Sequence, residues 1–221
     1  MQEVDLFYSN KNRTKLDRVK IINNFDEGEV SVNFSEYGYD YFDNVEFGIG
    51  YGGYSYDGRY VASVKRIVNH FGLKKGDKIL ELGCAKGFIL KDFHDLGYQV
   101  QGIDLSQYAV SHAHEDVKNN IICADCTSIP FENNEFDFVF SKEMLPHLDE
   151  KSAIKTVNEM KRVSKNIESI FIEIQVAEND AASDLIYSWD STHKTVQSSL
   201  FWRSLLKDQC YEGCVNFKEL F

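Results

Sequence analysis

Ile79-Leu80-Glu81-Leu82-Gly83-Cys84-Ala85-Lys86-Gly87-Phe88 sets an apolar run against an acid, then two glycines spaced G-x-x-x-G, then the start of a helical pattern. Twenty-one positions after Gly83, Asp104 closes a second apolar run, Val100-Gln101-Gly102-Ile103. A glycine turn lets a ligand approach the backbone, and a carboxylate one strand away can grip ribose hydroxyls. The pair describes a site for a nucleotide-type cofactor. The spacing is not G-x-G-x-x-G, which argues against a nicotinamide-dependent oxidoreductase.

The elements needed to position these residues follow from the pattern. Residues 60–71 carry apolar side chains at helical spacing and stop at Gly72. Then come a strand at 79–82, a helix near 87–96, a strand at 98–103 and a helix near 106–116. Strands at 120–124 and 136–140, a helix near 149–164 and a strand at 169–174 follow. A helix around 201–206 and a strand-like 215–217 end the pattern. Apolar strands alternating with helices imply a parallel sheet covered on both faces. Ligands of such sheets sit beyond the carboxyl ends of the strands. The residues there are Gly83 to Gly87, Asp104-Leu105, Asp125-Cys126, Ser141 to His147 and Gln175 to Asp180.

With Glu81 ahead of Gly83 and Gly87, the turn resembles motif I of class I S-adenosylmethionine-dependent methyltransferases. The resemblance covers residues 60–221. It implies an α/β, Rossmann-like, doubly wound, mostly parallel seven-stranded sheet with S-adenosyl-L-methionine as cofactor. On that basis the backbone of Gly83, Cys84, Ala85 and Gly87 faces the methionine portion, and Glu81 orients the turn or receives the ammonium group through water. Asp104, with Leu105 beside it, takes the ribose hydroxyls, the alternative for such an aspartate being a helix N-cap. Asp125 and Cys126 meet the adenine. Phe136-Asp137-Phe138-Val139-Phe140-Ser141 looks like the motif after the adenine strand, which puts Ser141 at the cofactor and His147 beyond it. Trp189-Asp190-Ser191-Thr192-His193 is similar to a D-x-T-H element of small-molecule and sugar-modifying members. Tyr54 and Arg59 lie in a stretch that looks like the cap from which such enzymes reach the cofactor carboxylate. Lys86 is expected to point away from the sulfonium.

That cap stretch is unusual in its own right. Seven of the twelve tyrosines fall between Tyr37 and Tyr60, among Gly48, Gly50, Gly52, Gly53 and Gly58. So much glycine disfavours regular elements, and tyrosine suits a wet pocket wall. Residues 1–60 thus read as an arm and an aromatic cap, and 61–221 as the cofactor domain. The basic residues Lys11, Arg13, Lys15, Arg18 and Lys20 read as a solvated face.

The 221 residues are 43% hydrophobic and 14% aromatic, enough for a real core. A formal net charge of −11 argues against nucleic acid as the main partner. No apolar run approaches the roughly 20 residues of a membrane span, and the first residues lack a signal-peptide layout. These features point to a cytoplasmic monomer or homodimer. Cys123-x-x-Cys126 and Cys210-x-x-x-Cys214 could supply zinc ligands. However, Ile121-Ile122-Cys123-Ala124 reads as a buried strand and the thiols as small apolar fillers, so no metal is expected.

Methyl transfer needs in-line alignment, and a hydroxyl or amine acceptor also benefits from a base. His147 and His193 are the candidates, with Glu143 behind them. The leading expectation is O-methylation of a small molecule such as a sugar, sugar nucleotide or secondary metabolite. A protein or tRNA methyltransferase and a non-catalytic cofactor-binding subunit are the alternatives. Ser141-Lys142-Glu143-Met144 stands where base-amino methyltransferases carry an Asn-Pro-Pro-Tyr-type element.

Overall fold

The computed structural model describes residues 1–7, 15–24, 31–46 and 48–221. Lys11, Arg13 and Phe47 lie outside the described residues. Seven strands form one sheet: β1 (Gln2–Glu3), β2 (Lys78–Leu82), β3 (Gln99–Asp104), β4 (Ile121–Cys123), β5 (Phe138–Lys142), β6 (Ile170–Val176) and β7 (Cys214–Glu219). Their order is β1-β7-β6-β5-β2-β3-β4, and every pairing is parallel. The chain runs outward from β2 in both directions, so the order reverses there. The carboxyl ends of β2, β3 and β5 consequently frame the crevice in which such sheets bind ligands. This is the seven-stranded Rossmann-like architecture expected from the alternation of elements.

The helices are α1 (Lys15–Asn24), α2 (Val32–Ser35), α3 (Tyr39–Phe42), α4 (Val61–Phe71), α5 (Phe88–Asp95), α6 (Gln107–Ser111), α7 (Glu150–Val163), α8 (Asp180–Trp189) and α9 (Ser199–Asp208). Their ends follow from local chemistry. The side chains of Ser106, Asp149, Asn179 and Ser198 cap α6, α7, α8 and α9, each accepting an N–H three residues on. Gly72 closes α4 in the left-handed conformation.

Several elements differ from the pattern reading. The first seven residues are not an arm: β1 extends the sheet beside β7, and Leu6 and Phe7 are buried against Phe140 and Phe171. The helix expected to 116 ends at Ser111, because the chain must turn to bury Val117 beneath Gly87. β5 starts two residues late, since Phe136 makes only an isolated bridge to Ser164. α8 was not foreseen. Cys123 and Ile122 are exposed rather than buried, as β4 is the sheet edge.

The aromatic cap has its own small core, in which Phe34, Tyr41, Phe42, Ile49 and Tyr54 close over Ala85, Phe88 and Ala109. Lys86 pins it down. This lysine is buried, and its Nζ donates to Asp43 Oδ1 and Oδ2 at 2.6 Å and to the Tyr54 carbonyl at 3.0 Å. It points into the cap and away from the cavity below. Burial would raise the Asp43 pKa, but bonds from Lys86 and the Tyr108 hydroxyl outweigh it and hold the carboxyl below its ordinary value of 3.8. A depressed folded pKa means the stabilisation is present above pH 3.8 and lost as pH falls through the lower folded value. Asp43→Asn strands a buried ammonium and should cost about 1–3 kcal/mol, less than a fully buried pair would. Thermal denaturation of both proteins checks this: the gap is expected to be wide at pH 7 and to narrow towards pH 3.

Candidate active site

A cavity of about 510 Å³ opens at the carboxyl ends of β2, β3 and β5 under the cap. Glu81, Gly83, Cys84 and Ala85 line it from β2 and the following turn, and Asp104 and Leu105 from β3. Asp125 and Cys126 line it beyond β4, and Tyr54 and Arg59 from the cap. Glu143, His147 and His193 complete the expected residues found there.

Two expected cofactor residues do not line it. Ser141 is inside β5, paired with Leu82 and Ile172, and is fully buried; this follows from the late start of that strand. Gly87 caps α5 at φ 72, where an added Cβ would lie 2.3 Å from Ile121 Cδ1. Its glycine is required by packing against β4. Gly87→Ala should therefore destabilise the fold by about 1–3 kcal/mol through overpacking. Cofactor affinity of the folded fraction should hold, which calorimetry below the melting temperature would test.

The turn between β2 and α5 is built around Asp104. Its Oδ2 accepts the Ala85 N–H at 2.7 Å and its Oδ1 accepts the Ser106 N–H at 2.8 Å. The carbonyl before it, on Ile103, takes the N–H groups of Gly83 and Cys84. Each carboxylate oxygen keeps one lone pair for a ligand. Gly83 sits at φ 70, and a Cβ there would lie 2.6 Å from Met144 Cγ. Glu81 is 2% exposed, and its Oε2 has no hydrogen-bond partner among the described residues. Burial, with the Asp104 charge adding, pushes its pKa well above the ordinary carboxylate value. A buried orphan acceptor of this kind calls for a donor from a ligand.

At the opposite wall His147 Nδ1 lies 2.9 Å from Thr192 Oγ1, which donates to Asp190 Oδ1 at 2.6 Å. Asp190 also accepts the Thr192 N–H on Oδ1 and the Tyr41 hydroxyl on Oδ2. Burial, followed by the neighbouring His193 charge, lowers the His147 pKa to about 4, so the ring is neutral at pH 7. His193 stacks on it with ring centroids 4.1 Å apart. Both His193 nitrogens are engaged: Nδ1 donates to the Asp190 carbonyl and Nε2 meets Gln175 Oε1, each at 3.0 Å. His193 is thus a strut beside the site, in place of the second base expected.

Glu143 is likewise held in structure. Its carboxylate bridges Lys142 Nζ at 2.9 Å and Lys218 Nζ at 3.0 Å, and both lysines also approach buried Glu173. Burial alone would raise its pKa; the two ammoniums drive it well below the ordinary value. Each of its carboxylate oxygens faces an ammonium, so Glu143 is placed to hold the two lysines and not to take a proton from an acceptor.

His147, Asp190 and His193 also form the one group among the described residues whose ligand atoms lie within 4.8 Å of each other, a spacing a divalent ion could use. The hydrogen bonds above already engage both His193 nitrogens, His147 Nδ1 and both Asp190 oxygens. The cysteines at 123/126 and 210/214 do not converge.

The pattern reading also missed residues. Arg18 of α1, read as part of a solvated face, lines the cavity near Trp189, and Tyr41 and Lys218 line it too; Lys142, Gln175 and Asp190, which the sequence placed at strand ends and in the D-x-T-H element without a role, also line it. Gln175, a polar residue inside the apolar run of β6, was the signal that could have found one of them.

Residues 80–172 match the family model described as a methyltransferase domain. The solved structure of an S-adenosylmethionine-dependent methyltransferase from Archaeoglobus fulgidus superposes with a TM-score of 0.55 at 21% identity, covering 67% of this chain and 66% of that one. Residues 80–172 are thus similar to methyltransferase domains, and the superposition shows a shared fold. Phosphoethanolamine N-methyltransferase 1 of Triticum aestivum is 33% identical over 100 residues, 42% of this chain and 20% of that protein. Sterol 4-C-methyltransferase of Caenorhabditis elegans is 26% identical over 128 residues, 53% of this chain and 37% of that protein. The chain spans about a fifth to two fifths of the length of these two relatives. No helix among the described residues is long and apolar enough to cross a membrane.

Proposed function

We propose that this methyltransferase moves a methyl group from S-adenosyl-L-methionine to a hydroxyl of a small-molecule acceptor, a sugar, sugar nucleotide or secondary metabolite being the class expected. The observation that carries the reading is the pairing of two walls in one cavity: Glu81 and Asp104 on one, His147 on the other. The cofactor supplies an electrophilic methyl on a sulfonium. The residues present fit it. The orphan Glu81 Oε2 suits its ammonium group, the remaining lone pairs of Asp104 suit two ribose hydroxyls, and Asp125, which lines the same cavity, suits the adenine amino group. Tyr37, Tyr51 and Tyr60 wall the space between, where flat rings exclude water.

In this reading His147 Nε2 would take the proton that the acceptor oxygen loses as it gains the methyl group, which the cofactor's sulfonium would supply. Alignment contributes most of the rate and the base a smaller part. The names of the relatives admit amines and sterols as other acceptor classes, and the same cavity could align them. Radiolabelled S-adenosylmethionine offered with panels of hydroxyl compounds, of amines and sterols, and of bulk RNA and cell-extract protein tests the proposal. Label in the hydroxyl panel supports it; label only in RNA or protein, or in none, contradicts it.

A further inference from the structure

The Asp190-Ser191-Thr192-His193 segment contributes more to the site than the strut made by His193. We propose that Thr192 and Asp190 are positioning residues that fix the tautomer of His147, leaving its Nε2 as the acceptor offered to the cavity. This rests on the reading of His147 as the proton acceptor in methyl transfer.

Proton counting carries the inference. A threonine hydroxyl has one proton. Both Asp190 oxygens already accept, Oδ1 from the Thr192 N–H and Oδ2 from the Tyr41 hydroxyl, as an ionised carboxylate does, and although burial opposes it the carboxyl stays below its ordinary value. It can only accept, so Thr192 Oγ1 spends its proton on Asp190 Oδ1 at 2.6 Å. At the 2.9 Å contact with His147 the same oxygen must therefore accept, and His147 Nδ1 must carry the hydrogen. In a neutral imidazole the other nitrogen is then bare. The ring lines the cavity, and its close side-chain hydrogen bond is the Nδ1 contact with Thr192.

The rest of the cluster holds this chain of bonds in one direction. Asp190 Oδ1 is anchored by the Thr192 N–H at 3.0 Å, and its Oδ2 by the Tyr41 hydroxyl at 2.8 Å. Asp190 is itself fixed at the end of α8, where its own N–H donates to the Ile186 carbonyl. Tyr37 packs edge-on against the His147 ring with centroids 6.0 Å apart. Two of these groups, Tyr37 and Tyr41, come from the cap. The cap thus completes the base as well as covering the cavity. When His147 takes the acceptor proton, its Nδ1–H still donates to Thr192, and the new positive charge faces the Asp190 carboxylate through one hydroxyl.

The tautomer can be read without knowing the acceptor. Long-range nitrogen–proton correlation spectra of the 15N-labelled protein at pH 7 should show His147 with Nδ1 protonated and Nε2 bare. Thr192→Val removes the acceptor, and the same spectrum should shift to a mixture rich in the Nε2–H form. Thr192→Ser keeps the hydroxyl and should restore the wild-type pattern. Calorimetric affinity for S-adenosylhomocysteine should stay within about twofold in both variants, which separates lost positioning from lost folding. An Nε2–H form in the wild type overturns the assignment, as does an unchanged pattern in Thr192→Val. Stoichiometric zinc uptake that shifts His147 and His193 together also overturns it, since the lone pairs would then serve a metal. If S-adenosylhomocysteine fails to bind the wild type, the methyltransferase reading falls while the tautomer result stands.

Discussion

His147→Ala lowers kcat/KM by about 10²-fold, the low end of what a positioned general base contributes, because a ring whose pKa is lowered to about 4 is a weak base, while affinity for S-adenosylhomocysteine stays near wild type. The separation is expected because the His147 ring touches Thr192, His193 and Tyr37 and none of the residues that cradle the cofactor. The pH profile is a second signature. With a pKa lowered to about 4 by burial and by His193, the ring is already neutral at pH 6. Turnover should therefore run level from pH 8 to about 5 and fall only as His147 protonates. The sign for stability is consistent with this. The unfolded imidazole binds its proton at 6.5, before the folded one does, so this residue costs stability as pH drops below 6.5. A rate that fell tenfold between pH 7 and 6 would point to a different base.

Asp104→Ala weakens S-adenosylhomocysteine by tenfold or more, equivalent to about 1.4 kcal/mol. Two losses combine. The ribose loses a carboxylate with an open lone pair on each oxygen, and the turn after β2 loses the acceptor that fixes the Ala85 N–H. Ala85 sits at φ 49, an uncommon conformation for a non-glycine residue that this bond helps to hold. Asp104→Asn separates the two. It retains one acceptor and should lose less than alanine does, with the circular dichroism spectrum and melting curve near wild type. Equal losses from both variants would assign the effect to charge alone.

The fold was legible because β2, β3 and β5 are mainly apolar runs of strand length, each followed by a polar turn and a helical stripe, and β6 is a further apolar run. Asp104 was legible for the same reason: it ends such a run. What failed was any inference needing a partner distant in sequence. β1 is two residues long and exists only because β7 lies alongside it. Glu143 looks like a base in sequence, and only the arrival of Lys218 from β7 shows that it is an ion-pair partner. His193 looks like a second base until Gln175 and the Asp190 carbonyl take both its nitrogens. Gly87 reads as a ligand contact, yet Ile121, 34 residues on, is what forbids a side chain there. Spacing located the loops that meet at the cavity, and long-range contacts decided which of their residues remain open to a ligand.

The most direct test is a calorimetric titration of the intact protein with S-adenosylhomocysteine. One site per chain, with affinity that drops at least tenfold in Asp104→Ala, is the predicted result. A folded protein that takes up no S-adenosylhomocysteine or S-adenosylmethionine would contradict the assignment of the cavity and the proposed activity with it.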